Sequence, residues 1–405
     1  MGKAVDQTKM ENKKKKLGLL PRLLIAIVLG LVIGSVAPSI GTVGEVIIRL
    51  GATFTGLFGE FLGFIIPLMI IGFVAPGIAE LGTGAGKTLA QTVGVAYGST
   101  LLAGSLAFFV DSALFPMFIK ETGSIVGDER VADAFFTSPM PPVMGVMTAL
   151  VLSFVLGLGM AVCGSKTLKD AVDDFAAIIN KVISSIIIPL LPFHVYGIFA
   201  KLTYTGSMMK MLSSFIAVFG VIIVLHWVIL VVQYFIAGTA AKKNPFGLIK
   251  NMLPAYATAI GTQSSAATIP VTTNCTKKNG VTDAIAEFVC PLCATIHLSG
   301  STITLTSCAM AVMMMTGGHP TFGMMFPFIM MLGVTMVAAP GVPGGAVMAA
   351  LGVLESMLGF NEDMLGLMIA LYTAQDSFGT ACNVTGDGAI AVLMDAITGK
   401  KSVKA

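Results

Sequence analysis

Residues 376–387 read Asp376-Ser-Phe-Gly-Thr-Ala-Cys-Asn383-Val-Thr-Gly-Asp387, inside the apolar run 363–396. Asp376, Gly379, Thr380, Asn383 and Asp387 recur at i, i+3, i+4, i+7 and i+11, which on a 3.6-residue helix is one face. Two carboxylates, an amide and a hydroxyl on one face of an apolar helix are expensive to bury in a bilayer. Residues of this kind face a bundle interior and mark a functional site. Hard oxygen ligands suit a small cation, and a lone carboxylate suits a ligand ammonium. A structural polar seam between helices is the plainer alternative, but no Lys or Arg is within reach to balance the two acids.

The rest of the chain agrees with a membrane setting. Of its 405 residues, 11% are charged and 55% hydrophobic. A soluble domain carries about 25% charged residues, so an ordinary soluble enzyme is excluded. Disorder needs low hydrophobicity and high net charge. A net charge of +3 gives no dense basic face for nucleic acid. In a bilayer the length suits about eight to ten spans of ~20 residues. The six cysteines lie almost entirely in apolar segments and are expected to be free thiols.

Pro, Gly and charge clusters divide the chain into spans at 17–38, 44–76, 88–118, 140–164, 172–203 and 208–239. The first is long enough to be a retained helix and shows no signal-peptide cleavage site. After Lys250 the pattern changes to a broken segment at 251–278, a span at 282–316, a second broken segment at 321–358 and a last span at 363–396. Two Gly/Pro-interrupted segments in corresponding positions point to a transporter site. Lys13 to Lys16, Lys87, Lys166, Lys169, Lys242, Lys243 and Lys250 fall on one side. Lys277 and Lys278 join them only if the broken segments enter and return. The positive-inside rule thus favours re-entrant hairpins and cytoplasmic N- and C-termini in the cell's inner membrane.

At this point a family resemblance becomes specific. The 376–387 stretch resembles the eighth-helix signature of the dicarboxylate/amino acid:cation symporters, which include glutamate, aspartate and neutral amino acid transporters. Gln263-Ser-Ser-Ala-Ala-Thr-Ile-Pro270-Val-Thr272 is similar to the family's serine-rich first hairpin. Pro291-Leu-Cys-Ala-Thr-Ile-His-Leu-Ser-Gly-Ser301 is similar to its seventh-helix stretch, and Ala339-Pro-Gly-Val-Pro-Gly-Gly345 to the tip of its second hairpin. The resemblance implies an all-α integral membrane protein with eight transmembrane helices, two re-entrant hairpins and inverted repeats. It implies a homotrimer working by elevator-type alternating access, with a tail at 1–16, scaffold at 17–76 and 140–203, transport domain at 88–118 and 208–396, and a tail at 397–405.

It also implies roles, residue by residue. Asp376 matches the acid for a substrate's α-ammonium, with Thr380 and Asn383 beside it. Ser264, Ser265 and Ser301, with backbone amides, match the α-carboxylate cradle, and Val342, Pro343 and Gly344 the closing tip. Asn383 and Asp387, with carbonyls near Cys293 and His297, match one sodium site. Thr295, Leu298 and the segment around Thr335 match a second. Tyr97, Ser99 and Thr100 match hydroxyls of the deepest site, where Ser299 replaces the usual Asp.

The departures narrow the function. The family's side-chain-reading Arg is Gly379 here, and its alternative hairpin position is Gln263. Without a guanidinium, bidentate recognition of a second carboxylate is lost. The expected substrate is therefore a neutral amino acid, serine/threonine/alanine-like or somewhat larger, taken up with sodium. Gly379 also leaves room for a side chain. His297 stands where the family has Asn. An imidazole is the side chain that changes charge near neutral pH, so a proton is a possible second coupling ion, with fewer sodium ions than in the glutamate transporters. An acidic amino acid or dicarboxylate symporter, or an uncoupled facilitator or channel, remains an alternative. Other signals weigh less. Cys290, Cys293 and His297 could make a soft-metal triad, and the Met-rich region reads as adaptable packing. Ser264 and Ser265 lack a base at a recognisable offset, so no enzyme or catalytic residue is expected. His194, His226 and His319 fall near predicted span ends or turns and receive no role.

Overall fold

The computed structural model describes residues 19–82, 87–119, 133–336 and 344–402. The tail 1–16, most of the 120–134 loop, Val342 and Pro343 lie outside these residues. Among the described residues the chain is helical throughout, without strands. Helices α1 (Leu19–Val36), α2 (Thr42–Gly82) and α3 (Lys87–Leu114) follow the first three predicted spans closely.

The next two differ in their edges. Helix α4 (Val146–Cys163) starts six residues after the predicted 140, because residues 133–145 run in extended form along α2. There Arg49 lies over the Phe135 ring at 4.3 Å, and the Met140 N–H donates to Glu60 Oε2 at 2.8 Å. The span placed at 172–203 is not uniformly apolar. Its first part, α5 (Lys166–Val182), is amphipathic, with Val172 and Ile179 buried and Lys169, Asp170 and Asp173 outward or half-buried. A π-turn at Ile183–Ile187 joins it to the apolar α6 (Ile188–Tyr204). His194 and His226 are corrected as well. Both are buried inside helices, in α6 and in α7 (Ser207–Ala241).

The broken segment at 251–278 is a helix pair, α8 (Pro245–Thr262) and α9 (Ser265–Lys278). Gln263 turns the chain at φ 53°, and Ser264 caps α9 by accepting from the Ala267 N–H at 3.2 Å. The span predicted as continuous at 282–316 is interrupted. Helix α10 (Asp283–Ile296) stops, His297 is extended, Leu298 is also non-helical, and α11 (Ser299–Met315) starts afresh. Ser299-Gly300-Ser301 reads as a helix start that the apolar flanks conceal. Helices α12 (Phe322–Thr335) and α13 (Gly345–Leu358) form the second pair, and α14 (Glu362–Ser402) ends the fold.

Six helical stretches of the described residues are long and apolar enough to cross a membrane: Pro21–Ile40, Thr42–Ala79, Lys87–Met117, Lys166–Tyr204, Ser214–Ala241 and Asp283–Met315. The expected fourth span is represented by the shorter Thr148–Cys163. The expected eighth is α14, about 60 Å long at 1.5 Å per residue, with Asp376, Asn383 and Asp387 buried.

Helices α1, α2, α4 and α6 pack on one another, while α14 lies against α7, α8, α9, α10 and α11. The two groups meet where α13 touches α2 and α6 touches α14, and Lys201 pairs with Asp363 at 3.1 Å across the second contact. Helix α11 is buried on every side from Ser299 to Met313, which makes it the centre of the second group. Small residues permit the close approaches. A Cβ at Gly34 of α1 would stand 2.6 Å from the Ala200 carbonyl oxygen of α6, whereas one at Gly98 would meet nothing within 4 Å. Gly34→Ala is therefore expected to destabilise the purified protein by about 1–3 kcal/mol. Gly98→Ala should leave the thermal midpoint unchanged or raised, and equal midpoints for the two variants would contradict this packing.

Candidate functional site

The interruption of α10–α11 frees backbone groups in the protein interior, and side chains of two neighbouring helices take them. Asn383 of α14 accepts from the Gly300 and Ser301 N–H groups at 2.8 and 3.2 Å, and its amide donates to Ser301 Oγ at 2.9 Å. Tyr372 also donates to Ser301 Oγ, at 2.9 Å. His226 Nε2 lies 3.1 Å from both the Gly300 carbonyl and Thr304 Oγ1. Gly300 has to be glycine. A Cβ there would be 2.5 Å from the Gly379 carbonyl and 2.6 Å from Cys382 Cβ.

A polar cluster forms on one side of the interruption. His297 Nδ1 is 3.0 Å from Asp387 Oδ1, and its Nε2 is 3.1 Å from Ser99 Oγ of α3. Gln233 of α7 donates to Ser99 Oγ at 2.8 Å and to Ser299 Oγ at 3.2 Å. His297 and Asp387 are 0% and 1% exposed, so this pair is sealed from solvent. Gln233 Oε1 and Asp387 Oδ2 have no partner among the described residues. One oxygen of the buried carboxylate and one amide oxygen beside it thus remain open, ligands that suit a small hard cation.

Asp376 lies one face-repeat away, three turns before Asp387. It is buried, and its Oδ2 accepts from the Gly344 N–H at 2.7 Å. Gly344 holds φ 77°, a conformation that glycine adopts without strain. Gln263, at the turn between α8 and α9, points its amide to Ser377 Oγ at 3.4 Å. The turns of both helix pairs therefore reach α14 at neighbouring residues. The α9 N-terminus, with the Ser264 cap and buried Ser265, adds backbone N–H groups suited to an anion.

The candidate residues divide into those gathered and those facing elsewhere. Ser99, His297, Ser299, Asn383 and Asp387 converge, as do Gly344 and Asp376 with the Gln263–Ser265 turn nearby. Tyr97 donates instead to the Met330 carbonyl at 3.0 Å. The hydroxyls of Thr100, Thr295 and Thr335 turn back to Ala96, Leu292 and Met331 of their own helices. Thr380 is buried on α14, Leu298 is half-buried at the interruption, and the Cys293 carbonyl receives the His297 N–H at 2.9 Å. Gly379 is buried against α11, where a Cβ would make ordinary contact with Thr304 Oγ1 at 3.5 Å. Val342 and Pro343 lie outside the described residues. Cys290 is directed to Thr276 Oγ1 at 3.4 Å, apart from the imidazole it shares a spacing with.

Gln233, Tyr372 and His226 are participants that spacing did not reveal. The signal for Gln233 is a single amide in 211–241, a stretch without formal charge.

Known proteins supply an independent line. A curated serine/threonine transporter SstT of Acinetobacter baumannii is 24% identical over 394 residues, covering 92% of this chain and 95% of that protein. A serine/threonine transporter SstT of Streptococcus suis is 28% identical over 347 residues, covering 82% and 94%. An excitatory amino acid transporter of Caenorhabditis elegans is 26% identical over 252 residues, covering 60% of this chain and 49% of that one. Residues 19–397 match the sodium:dicarboxylate symporter family. With nearly the whole chain matched and two carboxylates buried on one helix, this protein is a member of that family, a transporter and not an enzyme.

Proposed function

We propose that the protein takes up a neutral amino acid of the serine/threonine class together with sodium. The observation that carries this reading is Asp376: a buried carboxylate held by one backbone N–H, with Gln263 and Gly379 at the two positions where an arginine would read a second carboxylate. An α-ammonium pairs with Asp376. The α-carboxylate meets the N–H groups at the start of α9. Nothing remains to bind an acidic side chain bidentately. The serine/threonine relatives support the same reading, and the excitatory amino acid relative marks the acidic alternative.

The packing pattern supports a scaffold of α1, α2 and α4–α6 and a moving body of α3 and α7–α14, with the α8–α9 and α12–α13 pairs entering the membrane and returning. The interface between the groups is the sliding surface, and Gly344 ties the second pair to Asp376. Exposed apolar residues along α4, among them Val151, Val155, Leu158 and Val162, provide a face for lipid or for a neighbouring copy in a homotrimer. The termini lie on the cytoplasmic side.

Asp387 is the cation's carboxylate. With His297 neutral, its Nδ1–H donates to Oδ1 and leaves Oδ2 for sodium. With His297 protonated, the imidazolium itself balances the acid. A proton and a sodium ion are thus alternatives at one carboxylate.

Asp376→Asn should weaken serine or threonine binding by about 2–5 kcal/mol, the usual effect of removing one partner of a buried charge pair, read by calorimetric titration. Gln263→Arg should raise aspartate affinity relative to serine. Wild-type protein that prefers aspartate to every neutral amino acid would sink the assignment.

A further inference from the structure

Asp111 lies in α3, twelve residues beyond Ser99, or about 18 Å along the helix axis. It is 0% exposed, and neither carboxylate oxygen has a hydrogen-bond partner among the described residues. Its neighbours across the α3–α11 contact are Ser307 and Cys308. Ser307 Oγ is buried without a partner as well. Gln375 of α14 donates to Cys308 Sγ at 3.7 Å, and its Oε1 is a further buried acceptor without a partner. Ser307 is eight residues past Ser299 and Gln375 twelve before Asp387. Three helices therefore separate this cluster from the His297–Asp387 centre by about 12–18 Å.

A buried carboxylate needs a counter-charge or a proton. Among the described residues no basic side chain pairs with it. Residues 288–354, which include α11 and α12, carry no formal charge, and Lys87 at its far end is the only basic residue of α3. A protonated carboxyl would still need an acceptor for its O–H. Ser307 is the group placed to serve, yet no hydrogen bond of ordinary geometry joins it to Asp111. A hard cation instead takes oxygen ligands at about 2.3–2.6 Å, a shell that holds those oxygens too far apart to bond one another. A single carboxylate matches a single positive charge.

We propose that Asp111 and Ser307 form a further cation site between α3 and α11 that holds a sodium ion. The choice of ion rests on the sodium-coupled reading above. Through Cys308 and Gln375 the site adjoins the residue preceding Asp376, so its occupancy bears on the substrate acid.

The test uses the purified full chain in detergent. Sodium is titrated against choline at constant ionic strength, with the thermal midpoint and serine binding as readouts. Asp111→Asn should lower the sodium Hill slope by about one ion and make binding less sodium-dependent. Ser307→Ala, which removes only a hydroxyl and serves if Asp111→Asn does not fold, should raise half-saturating sodium about tenfold, the effect of losing one charge-assisted contact. Asp387→Asn should remove a different part of the response, leaving the Ser307-dependent part in place. Variants at Asp111 and Ser307 that titrate like wild type overturn the site and show Asp111 to be a neutral acid. A wild-type protein without any sodium response overturns the coupling-ion reading itself.

Discussion

The amide of Asn383 holds the centre of the molecule together. In a bilayer core every backbone polar group needs a partner inside the protein, and the chain breaks its helix there, at His297 and Leu298. Asn383 receives the two N–H groups that the break releases and donates to Ser301, while His226 takes the Gly300 carbonyl. Gly300 allows this by having no side chain to strike α14. Once the break is stable, His297 is free of the helix geometry and turns to Asp387, and Ser299 turns to Gln233.

The three buried acids in this part of the fold have different surroundings, and the differences carry chemistry. Asp376 is engaged by a single backbone N–H, from Gly344 at the start of α13. Asp387 faces the His297 imidazole on one oxygen and keeps the other without a partner among the described residues. Asp111 faces the Ser307 hydroxyl and the Cys308 thiol among the described residues. On the proposed reading, a single backbone donor suits reversible recognition of an ammonium, and a carboxylate oxygen left open suits a metal ion. A carboxylate beside a hydroxyl, with no basic partner among the described residues, suits a cation.

What could be read along the chain depended on period and on punctuation. The face Asp376–Asp387 was legible because its members recur at helical spacing in an otherwise apolar run. The α8–α9 turn was legible because Gln263-Ser-Ser interrupts that apolarity. The break at His297 was hidden, since a histidine followed by Leu298 between apolar flanks looks like continued helix. Gln233, His226 and Asp111 were hidden for another reason. His226 and Gln233 stand seven residues apart on α7 and Asp111 is the one acid of α3, too few in each case to mark a polar face. The amphipathic start at Lys166 escaped for the opposite reason, its charges merging with an apolar neighbour into one long segment.

The sequence by itself determined that this is a helical membrane protein, which helix carries the acids, and that no guanidinium stands at 379 or 263. Those properties follow from composition, spacing and residue identity, which are local to the chain. Only the tertiary structure decided which polar groups meet. It joined Ser99, Gln233, His297 and Asp387 from four separate segments, sent the hydroxyls of Tyr97, Thr100 and Thr295 elsewhere, and left Asp111 facing α11 without a counter-charge. The reason is that a buried polar side chain is oriented by whichever partner the packing of distant helices brings within hydrogen-bond range, and the positions of those helices are set by all of their contacts together.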